Sequence, residues 1–396
     1  MMAAGRAAER GRSALLLEKN DSLGRKLLIS GKGRCNITNI KGVSEHIENF
    51  GGTGRFLRNA FSRLFNAELM RFFEERGVEL KAERGGRVFP RSDRSKDILE
   101  ALRRYMRSCG AKVLLRAEAD DISIDSRGVK RVVLKDGTRY QGRSMALCTG
   151  GLSYPATGST GFGFEMAREL GHNVIPPSPA LAALVTESRV PVKWRGISLR
   201  NVEASLISGK KRIRKEFGDA LFTHFGLSGP VILDLSADAF RALRDGKDAY
   251  ISINLKPALD KGKLGGRLIR EFSSAPNRSL KNALRALLPL KMTDDLIDSC
   301  GLKPDAKCNR ITKGQRSRIV ERLTDLRFKI KSVRPIEEAI VTRGGVDTRE
   351  IDPRTMESRL IGGLFFAGEI IDVDAGTGGY NMQAAFSTGY VCGDNM

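Results

Sequence analysis

The sequence predicts an α/β fold: an open sheet of the dinucleotide-binding type, carrying a β-rich and then a helical insertion. Three observations predict it. Gly363-Leu-Phe-Phe-Ala-Gly368 is a short apolar strand stopped by glycine, and Gly376-Thr-Gly-Gly-Tyr-Asn381 leads from it into a helix-compatible segment from about residue 383 to 391. Ser13 to Leu17 is a second apolar strand, closed by Glu18. Ser144 to Thr149 is a third, closed by Gly150 and Gly151. Such strand ends line the ligand crevice of open α/β sheets. Glycines let backbone N–H groups approach a ligand, and a helix N-terminus favours negative charge. Taken alone, the C-terminal stretch reads equally well as a tight turn with no ligand.

Composition bounds the rest. At 396 residues the chain has room for two or three domains, and 41% of its residues are apolar. No run is long and apolar enough to cross a bilayer and no signal peptide opens the chain, so a cytoplasmic protein is expected. The six cysteines are scattered without CxxC spacing, and there are three histidines, which argues against a disulfide framework or a metal centre. The net charge is +22, from 68 basic and 46 acidic residues. That excess fits a nucleic-acid partner or simply a basic surface, and its spread along the chain favours the surface. Lys210 to Lys215 is the densest basic run and reads as a solvated hairpin tip. Lys313 to Arg318 is the best candidate for a polyanion contact, against a solvated helical face. Aromatics are 6%, and no basic strip is interleaved with them.

Taken in order, Ala3 to Arg10 is the back end of a helix stopped by Gly11. Glu18, at the end of the strand that follows, stands where a βαβ unit places an acid on the ribose hydroxyls of a dinucleotide; the alternative is a solvent-facing acid. The first strand and its G-x-G-x-x-G turn are not seen before this helix. The expectation is an upstream start with Met1 or Met2 internal, the rival a partial chain with weak cofactor affinity. Gly24 to Asn39 is a basic, Gly-rich loop suited to a phosphate-bearing ligand or to solvent. Within it Cys35 reads as packed rather than reactive. One or two helices follow over 56–77 and another over 95–109, the last with Ser95 as its cap. A meander over 122–124, 129–134 and 138–140 turns at Asp136-Gly137. Gly158, Gly161 and Gly163 form a second glycine loop. Pro176 to Pro179 marks a boundary. Residues 1–175 and 335–396 are thus expected as the dinucleotide-binding domain, 176–256 as a β-rich insertion and 257–334 as a helical one. Ala339 to Thr342 is a returning strand closing on Gly344 and Gly345.

Four stretches carry a family likeness: Leu15-Leu-Leu-Glu-Lys-Asn20 continuing through Gly24 to Asn39, Thr149-Gly-Gly-Leu-Ser-Tyr-Pro155 through Gly161, Phe222-Thr-His-Phe-Gly-Leu-Ser-Gly-Pro230, and Gly363 to Gln383. Together they resemble the YhiN/BaiN-like flavoproteins, an NAD(P)/FAD-dependent oxidoreductase family, over nearly the whole chain. The resemblance implies an FAD-binding Rossmann-like domain with a barrel-like insert. It implies that FAD is held by Glu18, Lys19, Lys26, Gly31, Gly33, Arg34, Cys35 and Asn36. Thr149, Gly150 and Gly151 would add contacts, as would Gly368, Glu369, Asp372, Gly376, Thr377, Gly378, Gly379, Tyr380 and Asn381. NADH or NADPH is the implied electron donor, and the implied reaction is hydride transfer through flavin N5 to a small or steroid-like unsaturated carbonyl compound. His224, Tyr154 and Tyr380 are candidates for the acid, each against a packed structural role. The second class is a basic flavoprotein that binds or modifies RNA. Neither a membrane nor a metal is expected.

Overall fold

A computed structural model describes residues 1–396 apart from Arg189 and Lys210. The chain forms two compact units, Met1–Ala180 with Ile336–Met396, and Leu181–Pro335. The first opens with α1 (Met2–Glu9), β1 (Leu15–Glu18), α2 (Arg25–Gly33), β2 (Thr38–Asn39), α3 (Val43–Asn49), α4 (Arg58–Arg63), α5 (Asn66–Glu74), β3 (Leu80–Ala82) and β4 (Arg87–Pro90). It continues with α6 (Ser95–Ser108), β5 (Lys112–Leu115), β6 (Ala119–Ile124), β7 (Lys130–Leu134), β8 (Arg139–Gly142), β9 (Met145–Leu147), α7 (Phe162–Glu169) and β10 (Val174–Ala180). The second unit holds β11 (Leu184–Thr186), β12 (Ser198–Ser208), β13 (Lys211–Phe222), β14 (Gly226–Ser228), α8 (Pro230–Arg244) and β15 (Ala249–Asn254). Helices α9 (Lys261–Ser274), α10 (Leu280–Leu284), α11 (Leu290–Ser299) and α12 (Lys313–Thr324) then precede β16 (Leu326–Val333). The first unit resumes with β17 (Val341–Val346), β18 (Leu364–Phe366) and α13 (Tyr380–Asn395).

In the first unit two parallel pairs carry the predicted strand ends. β1 pairs with β5, from Leu15 opposite Lys112 to Glu18 opposite Leu115. β18 pairs with β9, from Leu364 opposite Met145 to Phe366 opposite Leu147. The meander β6-β7-β8 forms as the alternation and the Asp136-Gly137 turn predict. Helix α13 is buried along most of its length, and its small residues are the reason. A Cβ on Gly393 would lie 2.3 Å from the Ala3 carbonyl oxygen, so only glycine lets α1 pack this closely.

Several local expectations change. The Gly24 to Asn39 loop starts as helix α2 and leaves helical geometry only at Ser30, Gly31 and Lys32. Of the one or two helices expected over 56–77, two form, α4 and α5, because Leu64 turns extended (φ −149°) between them. Ser95 does not cap α6; its hydroxyl donates to the Leu28 carbonyl at 2.8 Å. Pro176 to Pro179, expected to mark a boundary, lies inside β10, whose last residue Ala180 closes the first stretch of the first unit; the register slips between Ile175 and Ser178, and prolines, which cannot donate to a ladder, collect at such bulges. Gly344 and Gly345 lie within β17 rather than ending it, because Cβ atoms there would meet the Pro176 and Ile370 carbonyl oxygens at 2.7 and 2.4 Å.

The second unit is a closed antiparallel barrel in the order β11-β14-β13-β12-β15-β16. The alternating segments predicted β12 and β15, but α8 was not foreseen. Val231, Ile232, Leu235, Ala239 and Ala242 recur at helical spacing and are buried. Each of its large aliphatic side chains contributes roughly 1.5–3 kcal/mol by leaving water. The division expected at 256 and 257 runs through this unit, since β16 returns after the helices to pair with both β15 and β11. The basic hairpin tip lies between β12 and β13, with Lys210 outside the described residues. The charge is not evenly spread between the units. Leu181–Pro335 carries 32 basic against 16 acidic residues, a net +16 of the chain's +22.

Candidate functional site

Three polar clusters gather the predicted residues at strand ends of the first unit. At the end of β1, Glu18 Oε1 accepts from both the backbone N (2.9 Å) and Nδ2 (2.8 Å) of Asn20, which orients the carboxylate. Asn20 Nδ2 also donates to the Thr157 carbonyl (3.1 Å), and Lys19 Nζ donates to Thr160 Oγ1 (2.9 Å). These bonds tie β1 to the second glycine loop, where Gly158 and Gly161 take left-handed φ of 114° and 87°.

The second cluster centres on Glu369, just past β18. Its Oε1 accepts from Ser153 Oγ (3.0 Å) and the Thr342 backbone N (2.8 Å), and its Oε2 from Lys26 Nζ (2.5 Å). Lys26 also donates to Ser153 Oγ at 2.6 Å. Thr342 Oγ1 accepts from the backbone N of Leu152 and Ser153 at 2.8 and 3.1 Å. One carboxylate thus joins α2, the loop after β9, β17 and the loop after β18.

The third cluster surrounds the N-terminus of α13. Gly378 and Gly379 have φ of 134° and 100°. A Cβ on Gly379 would lie 2.4 Å from the Thr38 carbonyl oxygen and 2.9 Å from Asn36 Oδ1. Asn39 Nδ2 donates to the Gly378 carbonyl at 3.0 Å. Asn381 Oδ1 accepts from the Ala375 N at 2.9 Å, and its Nδ2 returns to the Ala375 carbonyl at 2.9 Å, holding the turn that contains Gly376 and Thr377.

The remaining candidates fall as follows. Gly31 and Gly33 have positive φ beside α2. Arg34 is already engaged: Nη1 lies 2.8 Å from Glu83 and 3.2 Å from Asp93, and its guanidinium stacks 4.0 Å over Phe89. Cys35 is fully buried, and burial pushes its thiol up to about 12, so thiolate chemistry is absent there. Asn36 Oδ1 accepts from the Val88 N. Thr149 Oγ1, past the end of β9, is buried without a partner among the described residues. Gly150 is left-handed (φ 74°), and Gly151 packs on the Thr342 hydroxyl. The Gly368 N donates to Thr388 Oγ1 at 3.0 Å. Asp372 is held above the usual carboxylate range by burial and by the negative charge of Asp374. Tyr380 is buried, its ring edge-on to His46 with centroids 4.9 Å apart. His224 is exposed in the second unit, at the turn between β13 and β14. Tyr154 is 37% exposed, and its backbone is left-handed (φ 53°, ψ 61°), an arrangement rare outside glycine.

Sequence reasoning missed Ser153, Thr342 and Asn39. Ser153 sits inside a motif already singled out, but Thr342 is joined to it across 189 positions, and no local pattern reports that. A Ser358–His172–Glu350 line also appears: Ser358 Oγ is 2.9 Å from His172 Nε2, and His172 Nδ1 is 3.0 Å from Glu350 Oε2. It resembles a nucleophile triad but is buried, and Ser358 Oγ already accepts from the backbone N of Leu360 and Ile361. With its lone pairs taken, the serine braces the loop before β18 rather than attacking a substrate.

The model of the HI0933-like protein Rossmann domain matches residues 1–395. The chain belongs to this family. It is a family of FAD-binding oxidoreductases of the YhiN/BaiN type, as the four motifs imply. A ribosomal RNA dihydrouridine synthase of Haemophilus influenzae is 30% identical over 396 residues, covering 99% of this chain and 94% of that protein. A 3-dehydro-bile acid delta(4,6)-reductase of Clostridium scindens is 28% identical over 380 residues, covering 96% and 91%. Among solved structures, the 3-ketosteroid delta1-dehydrogenase of Sterolibacterium denitrificans superposes with a TM-score of 0.52 at 14% identity, covering 99% of this chain and 96% of that one, which establishes the shared fold.

The first unit's residues fit an FAD. Glu18 offers a fixed carboxylate to ribose hydroxyls, the orphaned Thr149 hydroxyl offers a buried polar partner, and the Gly376–Gly379 turn gives backbone close approach at a helix N-terminus.

Proposed function

We propose that the protein is a flavin-dependent reductase of a carbon–carbon double bond conjugated to a carbonyl, and that its substrate is a uridine within ribosomal RNA. The observation that carries the RNA assignment is the net +16 concentrated in Leu181–Pro335. A cationic unit of this strength attracts a polyphosphate and gives no comparable advantage with a neutral or singly charged steroid. The similarity to the Haemophilus ribosomal RNA dihydrouridine synthase supports the same reading.

Bound FAD supplies the two-electron hydride chemistry, with NADH or NADPH as donor. In uracil the C5=C6 bond is conjugated to the C4 carbonyl, so hydride enters at C6 and a proton at C5. The balance is uridine plus NAD(P)H plus a proton, giving dihydrouridine plus NAD(P)⁺. Glu18 holds the cofactor ribose. Lys26, Ser153 and Thr342 fix the carboxylate of Glu369 at the second crevice, where it would otherwise repel an anionic cofactor. The Gly376–Asn381 turn offers backbone donors to the pyrimidine side of the flavin, where negative charge gathers on reduction. Tyr154 is assigned as the proton donor: it is exposed, and its hydroxyl makes no hydrogen bond among the described residues. Its left-handed backbone, held by Tyr154 N to the Glu337 carbonyl (3.1 Å), is the kind of local strain that clusters at functional sites. A ribosomal substrate also places the protein in the cytoplasm.

The test uses FAD-loaded protein, NADPH and unmodified ribosomal RNA, with mass spectrometry of the nucleosides. A uridine that gains two hydrogens supports the proposal. Unchanged RNA, with reduction of a 3-keto-4-ene steroid under the same conditions, would transfer the assignment to the substrate class of the Clostridium relative.

A further inference from the structure

The second unit's charge is not uniform, and its unevenness points to a surface. From Lys256 to Thr324 there are 16 basic and 7 acidic residues. Among the described residues only Lys263 and Lys281 of those sixteen lie within ion-pair distance of a carboxylate, Asp260 and Asp294. The barrel differs: Lys215, Arg214, Arg327 and Lys329 are each paired with an acid. Cations without a neighbouring carboxylate repel one another. That arrangement is disfavoured unless an anion covers it.

One depression gathers part of this excess. Lys303, Lys307 and Arg310 line it with Gln315, and Asp305 is its one acid. All three cations are exposed. The floor is fixed: Leu280 N donates to the Ala306 carbonyl, Lys281 N to Pro304, Cys308 N to Arg278 and Asn309 N to Pro276, at 2.8 to 3.1 Å. Leu302, Cys308 and Ile311 are buried beneath it. The three cations therefore stand on a rigid platform and need little ordering to engage a ligand. Gln315 closes the first turn of α12 by accepting from Thr312 N through Oε1 (2.9 Å), which leaves its amide Nε2 free to donate. On α12 the exposed Arg318 and Arg322 follow Gln315 by three and seven positions, the spacing of one helical face. A strip of five cations results.

We propose that this strip, Lys303, Lys307, Arg310, Arg318 and Arg322, binds the phosphate backbone of folded, double-stranded RNA. The proposal rests on the RNA reading above and adds where and how the RNA is held. Residues 300–324 contain no Phe, Tyr or Trp, so no base can stack here, which sets the strip apart from single-strand binders. Lysine and arginine contacts to phosphates position a duplex without reading its sequence. The five cations also lack the exposed large apolar neighbours that would insert into a lipid surface: Leu302 and Ile311 point into the core.

The experiment uses full-length FAD-loaded protein, a 20-base-pair RNA duplex of arbitrary sequence, poly(U), and vesicles of phosphatidylcholine with phosphatidylserine. The variants are K303E/K307E/R310E and its glutamine counterpart, with melting temperatures checked against the parent. Each lost phosphate contact lowers the salt slope of log K by about 0.7–0.9, so removing three lowers it by about 2–3 and weakens duplex binding at least tenfold at low salt. The parent should prefer duplex over poly(U), and the glutamine variant should fall between parent and glutamate variant. Equal affinity and slope in parent and variants, with RNA still bound and reduced, would overturn the strip while leaving the RNA reading intact. Absence of any RNA binding by the parent would overturn both. Binding to the anionic vesicles in place of duplex RNA would reassign the strip to a membrane surface.

Discussion

Replacing Gly379 by alanine tests the seat at the N-terminus of α13. Two costs are separable. A non-glycine residue at φ 100° carries about 1–2 kcal/mol of backbone strain. The added Cβ would also lie 2.4 Å from the Thr38 carbonyl oxygen and 2.6 Å from its carbon, both backbone atoms that cannot swing away. Forcing β2 and α13 apart costs roughly 1–3 kcal/mol more, as overpacking does elsewhere. Gly171→Ala is the control: its φ is 88°, but nothing lies within 4 Å of the place its Cβ would take. Gly379→Ala should therefore lose about 2–5 kcal/mol and Gly171→Ala about 1–2 kcal/mol in urea unfolding. FAD affinity, followed by flavin fluorescence, should fall in the first and hold in the second. Equal destabilisation would show that the close approach of Thr38 has no energetic weight. Unchanged FAD affinity in a folded Gly379→Ala protein would remove the turn from the cofactor seat.

Other perturbations follow from the same structure. Lys26→Met strips one partner from Glu369 in a cluster whose side chains are only 28% and 19% exposed; it should destabilise by about 1–3 kcal/mol, and a cycle with Glu369→Gln should show coupling, whereas additivity would mean the pair contributes nothing jointly. His172 and His46 both titrate below the usual histidine value because burial disfavours their charged form. The unfolded chain therefore binds protons first, so stability is full above about pH 6.5 and falls as pH drops below it; a flat stability between about pH 7.5 and 5 would refute this. Ser358→Ala should cost about 2–3 kcal/mol by stranding His172 Nε2 and two backbone N–H groups, with no loss of FAD-dependent activity at permissive temperature. Tyr154→Phe should slow substrate reduction at least tenfold while leaving flavin reduction by NADPH intact; equal turnover would exclude it as the proton donor.

Much of the architecture was legible from local chemistry. The short apolar runs at Leu15, Met145 and Leu364 become strands, the last of them fully buried, and the glycines after two of them mark abrupt ends. The meander was readable from Asp136-Gly137, since that dipeptide suits a hairpin turn. Residues whose role depends on a distant partner were not readable. Only the folded chain puts Glu83 and Asp93 beside Arg34, and only there does the ring of His46 meet that of Tyr380. The bulge that holds the prolines of β10 was not readable either, because a bulge is defined by the strand opposite.

By itself, then, the sequence determined the strand ends, the glycine turns, the family and the size of the positive charge. All of these depend on residue type and short spacing. Only tertiary structure decided that Lys26, Ser153, Thr342 and Glu369 form one network, that the charge excess belongs to one unit, and that Lys303, Lys307 and Arg310 line one depression. Those facts depend on which side chains neutralise one another, and Coulomb forces act across space between residues hundreds of positions apart.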